Sequence, residues 1–376
     1  MIICIECTAR TKDELDELLR VGGYRDYGEA VALAVSNQLL LHRTPVAGRT
    51  PAVGTAVSED PDGAKSGTKQ PQVSKVVGSE HHGPDTDMEI PALFRALASE
   101  APRSTVAGLP ADVFTRGQRI TIDRWIFGQH NKVLPLKASV RALANLILGE
   151  RGGVLLSRAS TEISAGCEIL GAYLRKLDGD LGLMREDSLS TAFPSATSDI
   201  NKSRLRFSNQ FVGAVNKHGQ LRGFPIDLKL VNYKNPKDPK LLLTEAGWKF
   251  ASLTNPILDH TEGTPITGDK LSEEERGFLI QHIRDNVPVE DFAIRAVLSA
   301  LDAGASNPDD LDAALRAYMP ERTDEPFSPA FLSTQRAGAI SRMSDLRLVA
   351  REREGLRVTY IASELGKQYS ECVTAE

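Results

Sequence analysis

The chain has 376 residues, 41% hydrophobic and 25% charged, a composition ordinary for soluble proteins, and 45 basic against 50 acidic residues give a formal net charge of −5. That balance excludes a uniformly basic nucleic-acid coat, so what matters is where the charges fall. The length suggests two or three domains, and 30 Gly with 20 Pro beside only 6% aromatic residues suggest that part of the chain is unpacked. No stretch approaches the ~18 uninterrupted apolar residues of a membrane span; the longest candidate, 133–156, is broken by Lys137, Arg141, Glu150 and Arg151. Met1–Arg10 lacks the basic start of a signal peptide, and four cysteines make no disulfide framework. A cytoplasmic protein with no membrane partner is expected.

Residues 1–43 read as strand, helix, helix. Ile2–Cys7 is a short strand, Thr11 caps a helix carrying Leu15, Leu18 and Leu19, and Gly22-Gly23 ends it. A second helix, opened by Asp26 and Glu29, runs to about Leu41 and is apolar on nearly every face. So short a unit cannot bury that surface alone, which predicts a homodimer. Residues 44–87 contain no Leu, Ile or aromatic residue but six Gly and five Pro. Such a segment cannot offset its ordering entropy and is predicted to be a disordered linker.

Folded sequence resumes near Ile90. Helices are expected at Pro91–Glu100, within Trp125–Leu148, over Ile163–Leu177 and over Ser203–Val215. Strands are expected at Leu221–Leu230 and Leu241–Leu243 around a turn-rich segment, 232–239, and a helix opens at Thr244-Glu-Ala-Gly247. After Gly263-Thr264-Pro265, a capping box at Ser272–Glu275 starts a helix over 272–286, followed by helices at 289–303, 308–319 and 328–346. Strands at 348–350 and 357–361 flank Glu354-Gly355, and a last helix opens at Ser363-Glu-Leu-Gly366. The expected domains are 1–43, 44–87, 88–262 and 263–376.

Catalytic signatures are missing. No phosphate-loop, H-E-x-x-H, G-x-S-x-G or G-x-G-x-x-G pattern occurs in a credible setting; Asp62-Gly-Ala-Lys-Ser66 lies in the linker with no strand before it. Cys4 and Cys7 have C-x-x-C spacing but no second pair, and on a strand they point to opposite faces. Apart from His81-His82, in or near the end of the linker, the histidines are scattered singly. The expectation is a non-enzyme without cofactor or metal.

The positive charge is concentrated. Between Asn201 and Lys249 stand ten basic residues (Lys202, Arg204, Arg206, Lys217, Arg222, Lys229, Lys234, Lys237, Lys240, Lys249) against Asp227, Asp238 and Glu245, a balance of +7. A basic helix followed by a basic β-turn suits major-groove entry and phosphate contact. Ser328–Tyr369 repeats the layout at +3, seven bases against four acids, with Gln335, Arg336 and Arg342 on the helix and Arg351, Arg353 and Arg357 around the turn.

Leu348–Gly366 (LVAREREGLRVTYIASELG) resembles the wing of winged helix-turn-helix regulators, in which an apolar strand, a charged turn with Gly, a second strand and a T/S-E-x-G helix start occur in this order. Leu243-Thr-Glu-Ala-Gly247 looks like the same wing ending after a longer turn. The resemblance implies that Lys202–Val215 and Ser328–Leu346 are recognition helices. Ile2–Cys7, Leu15–Leu19, Gly23–Asp26 and Glu29-Ala30 are similar to ribbon-helix-helix regulators, although Glu6 on the strand favours dimerisation over base readout. The fold expectation is therefore a mainly α chain with small β wings: a ribbon-helix-helix arm, a linker and two winged-helix-like domains. The functional expectation is a homodimeric transcription regulator binding double-stranded DNA through Lys202, Arg204, Arg206, Lys217, Arg222, Lys234, Lys237, Lys240, Gln335, Arg336, Arg342, Arg351, Arg353 and Arg357. The alternatives are a non-catalytic adaptor in a DNA-processing or defence assembly, winged helices also serving as protein-binding modules, and an antitoxin-like protein.

Overall fold

The computed structural model describes residues 89–98, 120–150, 152–195, 199–260, 266, 268–320, 327–355 and 357–371. All of them belong to one compact unit, His82–Glu376. The arm expected at 1–43 and the linker expected at 44–87 lie outside the described residues. The described chain is mainly helical with small antiparallel sheets.

Helix α1 (Val133–Leu148) is central, with every residue from Val133 to Ala144 buried and Pro135 in the first turn, where its missing N–H costs nothing. Strand β1 (Val154–Leu155) and helices α2 (Leu156–Asp180) and α3 (Ile200–Phe211) follow. A two-stranded hairpin, β2 (Ala214–Val215) with β3 (Leu221–Arg222), and the single turn α4 (Phe224–Asp227) lead into β4 (Val231–Lys234), β5 (Lys240–Leu243) and α5 (Glu245–Ser252). The sheet order is β1-β5-β4, all antiparallel, with Val154 opposite Leu241 and Val231 opposite Leu243.

The second half contains α6 (Glu273–Asn286), α7 (Pro288–Asp302), α8 (Pro308–Leu315), α9 (Pro329–Asp345), the hairpin β6 (Val349–Glu354) and β7 (Arg357–Ala362), and α10 (Glu364–Glu371). The expected capping box at the start of α6 is present, Ser272 and Glu275 each accepting from the other's backbone N–H. Where the first half has β1, the second has a single bond, from the Tyr360 N–H to Ser306 O at 2.7 Å. Tyr369 anchors α10: its buried hydroxyl donates to Asp291 at 2.6 Å, and Arg284 and Arg295 lie over its ring.

The ends of the β4–β5 and β6–β7 hairpins share one geometry. Thr244 Oγ1 donates to Lys229 O, the Thr244 N–H donates to Leu230 O, and the hydroxyl accepts from the Gly247 N–H. Ser363 repeats this with Arg347 O, Leu348 O and the Gly366 N–H. Lys229 and Arg347 both adopt left-handed backbone, φ 55° and 58°. A Cβ on Gly247 would sit 2.0 Å from Leu230 O, and one on Gly366 2.2 Å from Leu348 O. The glycine of T/S-E-x-G is thus required because the helix lies directly on the carbonyl that precedes the hairpin.

Three expected elements differ. The helix expected over Ser203–Val215 ends at Phe211, where Gly213 (φ 146°) leads the chain into β2. Within the helix expected at Pro91–Glu100, the described residues form a single turn at Ala92–Phe94, because Asn145 donates to the Leu93 and Arg95 carbonyls that a longer helix would use. Leu221–Leu230 is not one strand. Gly223 (φ 151°) and Pro225 break it, and Phe224, Pro225 and Ile226 are buried consecutively in α4, which a strand with alternating faces cannot do.

Buried residues on both sides of 261–265 belong to one hydrophobic core. Lys137 of α1 donates to Phe250 O and Leu253 O and pairs with Glu275 of α6 at 2.8 Å, both side chains fully buried. Arg141 donates to Ala251 O and grips Asp259 with both bonds from one nitrogen, at 2.6 and 2.7 Å. Two cations of α1 therefore satisfy carbonyls at the C-terminal end of α5, while Glu275 ties the cluster to α6.

Candidate nucleic-acid interface

Helix α3 starts at Asp199, whose carboxylate accepts from the Lys202 N–H. Its inner stripe, Phe207, Ser208 and Phe211, is buried, with Phe207 against Phe193 and Phe211. The outer stripe carries Lys202, Leu205, Arg206 and Asn209, all exposed. Lys202 and Arg206 make no ion pair with any described residue. Arg204 is different: it is half-buried and bound to Glu168 of α2, 2.6 Å from Nε to the carboxylate, so it fastens two helices. Ser203, Ser208 and Gln210 are likewise engaged inside the fold or with Gln129.

Lys217 is exposed in the β2–β3 turn, which Asn216 holds by accepting from the His218 and Gln220 N–H groups. Arg222 is exposed, 3.8 Å from Asp227, whose other oxygen meets His130 Nδ1 at 3.0 Å. Along the β4–β5 hairpin, Lys234 lies directly opposite Lys240, with Lys237 in the turn between them, all three exposed. Like charges directly opposite on a ladder are destabilising. No described acid pairs with any of the three, and Asn235 takes the left-handed conformation (φ 56°) that the turn needs.

In the second half the structure places three of the expected contact residues inside the fold. Gln335, Arg336 and Arg342 are buried. Gln335 accepts from the Gly128 N–H at 2.5 Å and donates to Ile122 O. Arg336 binds Asp312, Nε to carboxylate 2.6 Å. Arg342 forms a two-bond pair with Glu290, at 2.6 and 2.8 Å, and donates to His130 O. Gln335 and Arg342 thus meet the segment around Ile122–His130, while Asp312 of α8 and Glu290 of α7 take up the charges of Arg336 and Arg342. A Cβ on Gly338 would stand 2.3 Å from Gly128 O, and one on Gly128 2.2 Å from Thr334 O. Gly338 was the available signal: a glycine inside a helix costs about 1 kcal/mol and marks close approach by another backbone.

On the β6–β7 hairpin, Arg351, Arg353 and Arg357 are exposed. Register places Arg351 and Arg353 on one face, and Glu352, Glu354 and Arg357 on the other, with Glu354 opposite Arg357. Arg353 reaches Glu186 at 3.4 Å. The Glu186 carboxyl is held below its ordinary range first by its own backbone N–H, then by Arg351 and Arg353. Among the described residues only Arg353 of these three makes an ion pair, but Glu186, Glu352 and Glu354 balance the three arginines in number, whereas the three lysines of the β4–β5 hairpin have Asp238 alone beside them.

Among the described residues no group of three His, Cys, Asp or Glu side chains could hold a metal, and no helix is long and apolar enough to cross a membrane. Compared with protein-family models, with curated proteins and with solved structures, the chain matches none.

Proposed function

We propose that the chain is a DNA-binding transcription regulator that meets duplex DNA with α3 and the β2–β3 and β4–β5 hairpins of its first module. The observation that carries this reading is a set of six exposed cations without an acid partner among the described residues: Lys202, Arg206, Lys217, Lys234, Lys237 and Lys240. The pair Lys234 and Lys240 is held face to face by its register, an arrangement that a polyanion relieves. The element order supports a winged-helix reading of this module. Helix, strand and two helices precede a hairpin whose second strand pairs with the first strand, although β2, β3 and α4 are inserted before the hairpin. Action as a homodimer rests on residues 1–43 alone, by their sequence.

The test is a fluorescence-anisotropy titration of the full-length protein on a random 30-base-pair duplex at several salt concentrations. If the six cations each meet a phosphate, the log–log slope is roughly −5, at about −0.9 per contact. Replacing Lys234, Lys237 and Lys240 together by Ala then flattens the slope by roughly 2.7. A flat salt response in the parent protein overturns the proposal.

A second reading, a protein-binding adaptor, is favoured by one observation, the internal use of α9 in the second module. Co-purification with a fixed partner, together with absent salt dependence, would favour it.

A further inference from the structure

The outer stripe of α3 has a composition that phosphate contact alone does not require. Lys202, Leu205, Arg206 and Asn209 recur at i, i+3, i+4 and i+7, and so form one line along the helix. Leu205 stands 62% exposed in the middle of that line. It contributes nothing to anchoring α3, which Phe207 and Phe211 do from the opposite side. Lys202 precedes it by three positions and Arg206 follows it, neither with an acid partner, and the Asn209 amide has no side-chain partner among the described residues.

Two cations, one amide and one apolar tip match the contents of a DNA major groove. Phosphates line its rims and base edges offer donors and acceptors. The thymine C5-methyl is the apolar group on its floor. A helix of 12 residues is about 18 Å long, enough to place this line along the groove. A protein partner would instead call for a contiguous apolar patch with the charges removed from its centre. Charge complementarity therefore selects the nucleic acid.

Resting on the DNA-binding reading, we propose that Leu205 packs against a thymine C5-methyl group, which makes it a specificity-determining residue of α3 for thymine-containing duplex. The contact is confined to DNA, because uracil lacks the methyl group and the deep, narrow major groove of duplex RNA does not admit side chains.

The experiment compares full-length wild type and Leu205→Ala by anisotropy on three 30-base-pair probes: alternating A·T, the same duplex with uracil in place of thymine, and the corresponding RNA duplex. Circular dichroism checks that the variant, altered at an exposed site, retains its helix content. The wild type is expected to bind the thymine probe about fourfold more tightly than the uracil probe for each methyl group contacted. Leu205→Ala should lose that factor on the thymine probe and bind both DNA probes alike. Wild-type binding that is salt-dependent but equal on thymine and uracil overturns this assignment and leaves the DNA-binding reading standing. Discrimination that survives in Leu205→Ala, or tighter binding to the RNA duplex, also overturns the assignment, and binding to none of the probes overturns both.

Discussion

Replacing Lys137 by Met tests how the central cluster is balanced. Burial pushes the Lys137 ammonium down from its ordinary 10.5 to about 8, against the opposing pull of Glu275. Desolvation thus outweighs the ion pair, even at 2.8 Å and with two carbonyls accepting from the same nitrogen. The sign follows from proton counting. Between pH 8 and 10.5 the unfolded chain binds the proton more tightly than the folded one, so the wild type gains stability as pH rises through that window. The full span of 2.5 units corresponds to about 3 kcal/mol. At pH 7 the variant should itself be weaker, by about 3–5 kcal/mol, because Glu275 is left fully buried without its cation. Urea unfolding followed by fluorescence suits the site, since both tryptophans, Trp125 and Trp248, are buried in the same core. The gap between wild type and Lys137→Met should widen by up to about 3 kcal/mol from pH 8 to 10.5. A gap that narrows would refute the reasoning, because the ion pair would then outweigh the cost of burial.

Gly366→Ala should destabilise by more than about 3 kcal/mol in the same unfolding assay, since its Cβ would stand 2.2 Å from a backbone oxygen, whereas Gly277→Ala, with open space around it in α6, should stabilise by about 1 kcal/mol. Arg342→Ala should cost about 3–5 kcal/mol by stranding Glu290, with the salt slope of DNA binding unchanged. Lys240→Ala should raise the stability of the free protein by a few tenths of a kcal/mol while weakening DNA binding, because it removes one of two facing charges; lower stability would show that the pair is not frustrated.

Local chemistry was enough to locate most elements. Apolar spacing gave α1 and α2, Ser272 and Glu275 gave the start of α6, and T/S-E-x-G gave the ends of both hairpins, because caps, turns and amphipathic stripes are written in adjacent residues. The clustering of positive charge over 201–249 was also legible, being a matter of counting. Tertiary structure decided which of two similar basic helices keeps an open face. Lys202 and Arg206 face outward on α3, while Gln335, Arg336 and Arg342 on α9 are buried against partners at Gly128, Asp312 and Glu290, from 24 to 207 residues away. Sequence fixes a side chain's angular position on its helix. Which face is buried depends on distant segments such as Ile122–His130, whose approach is set by packing of the whole core and is written in no local pattern.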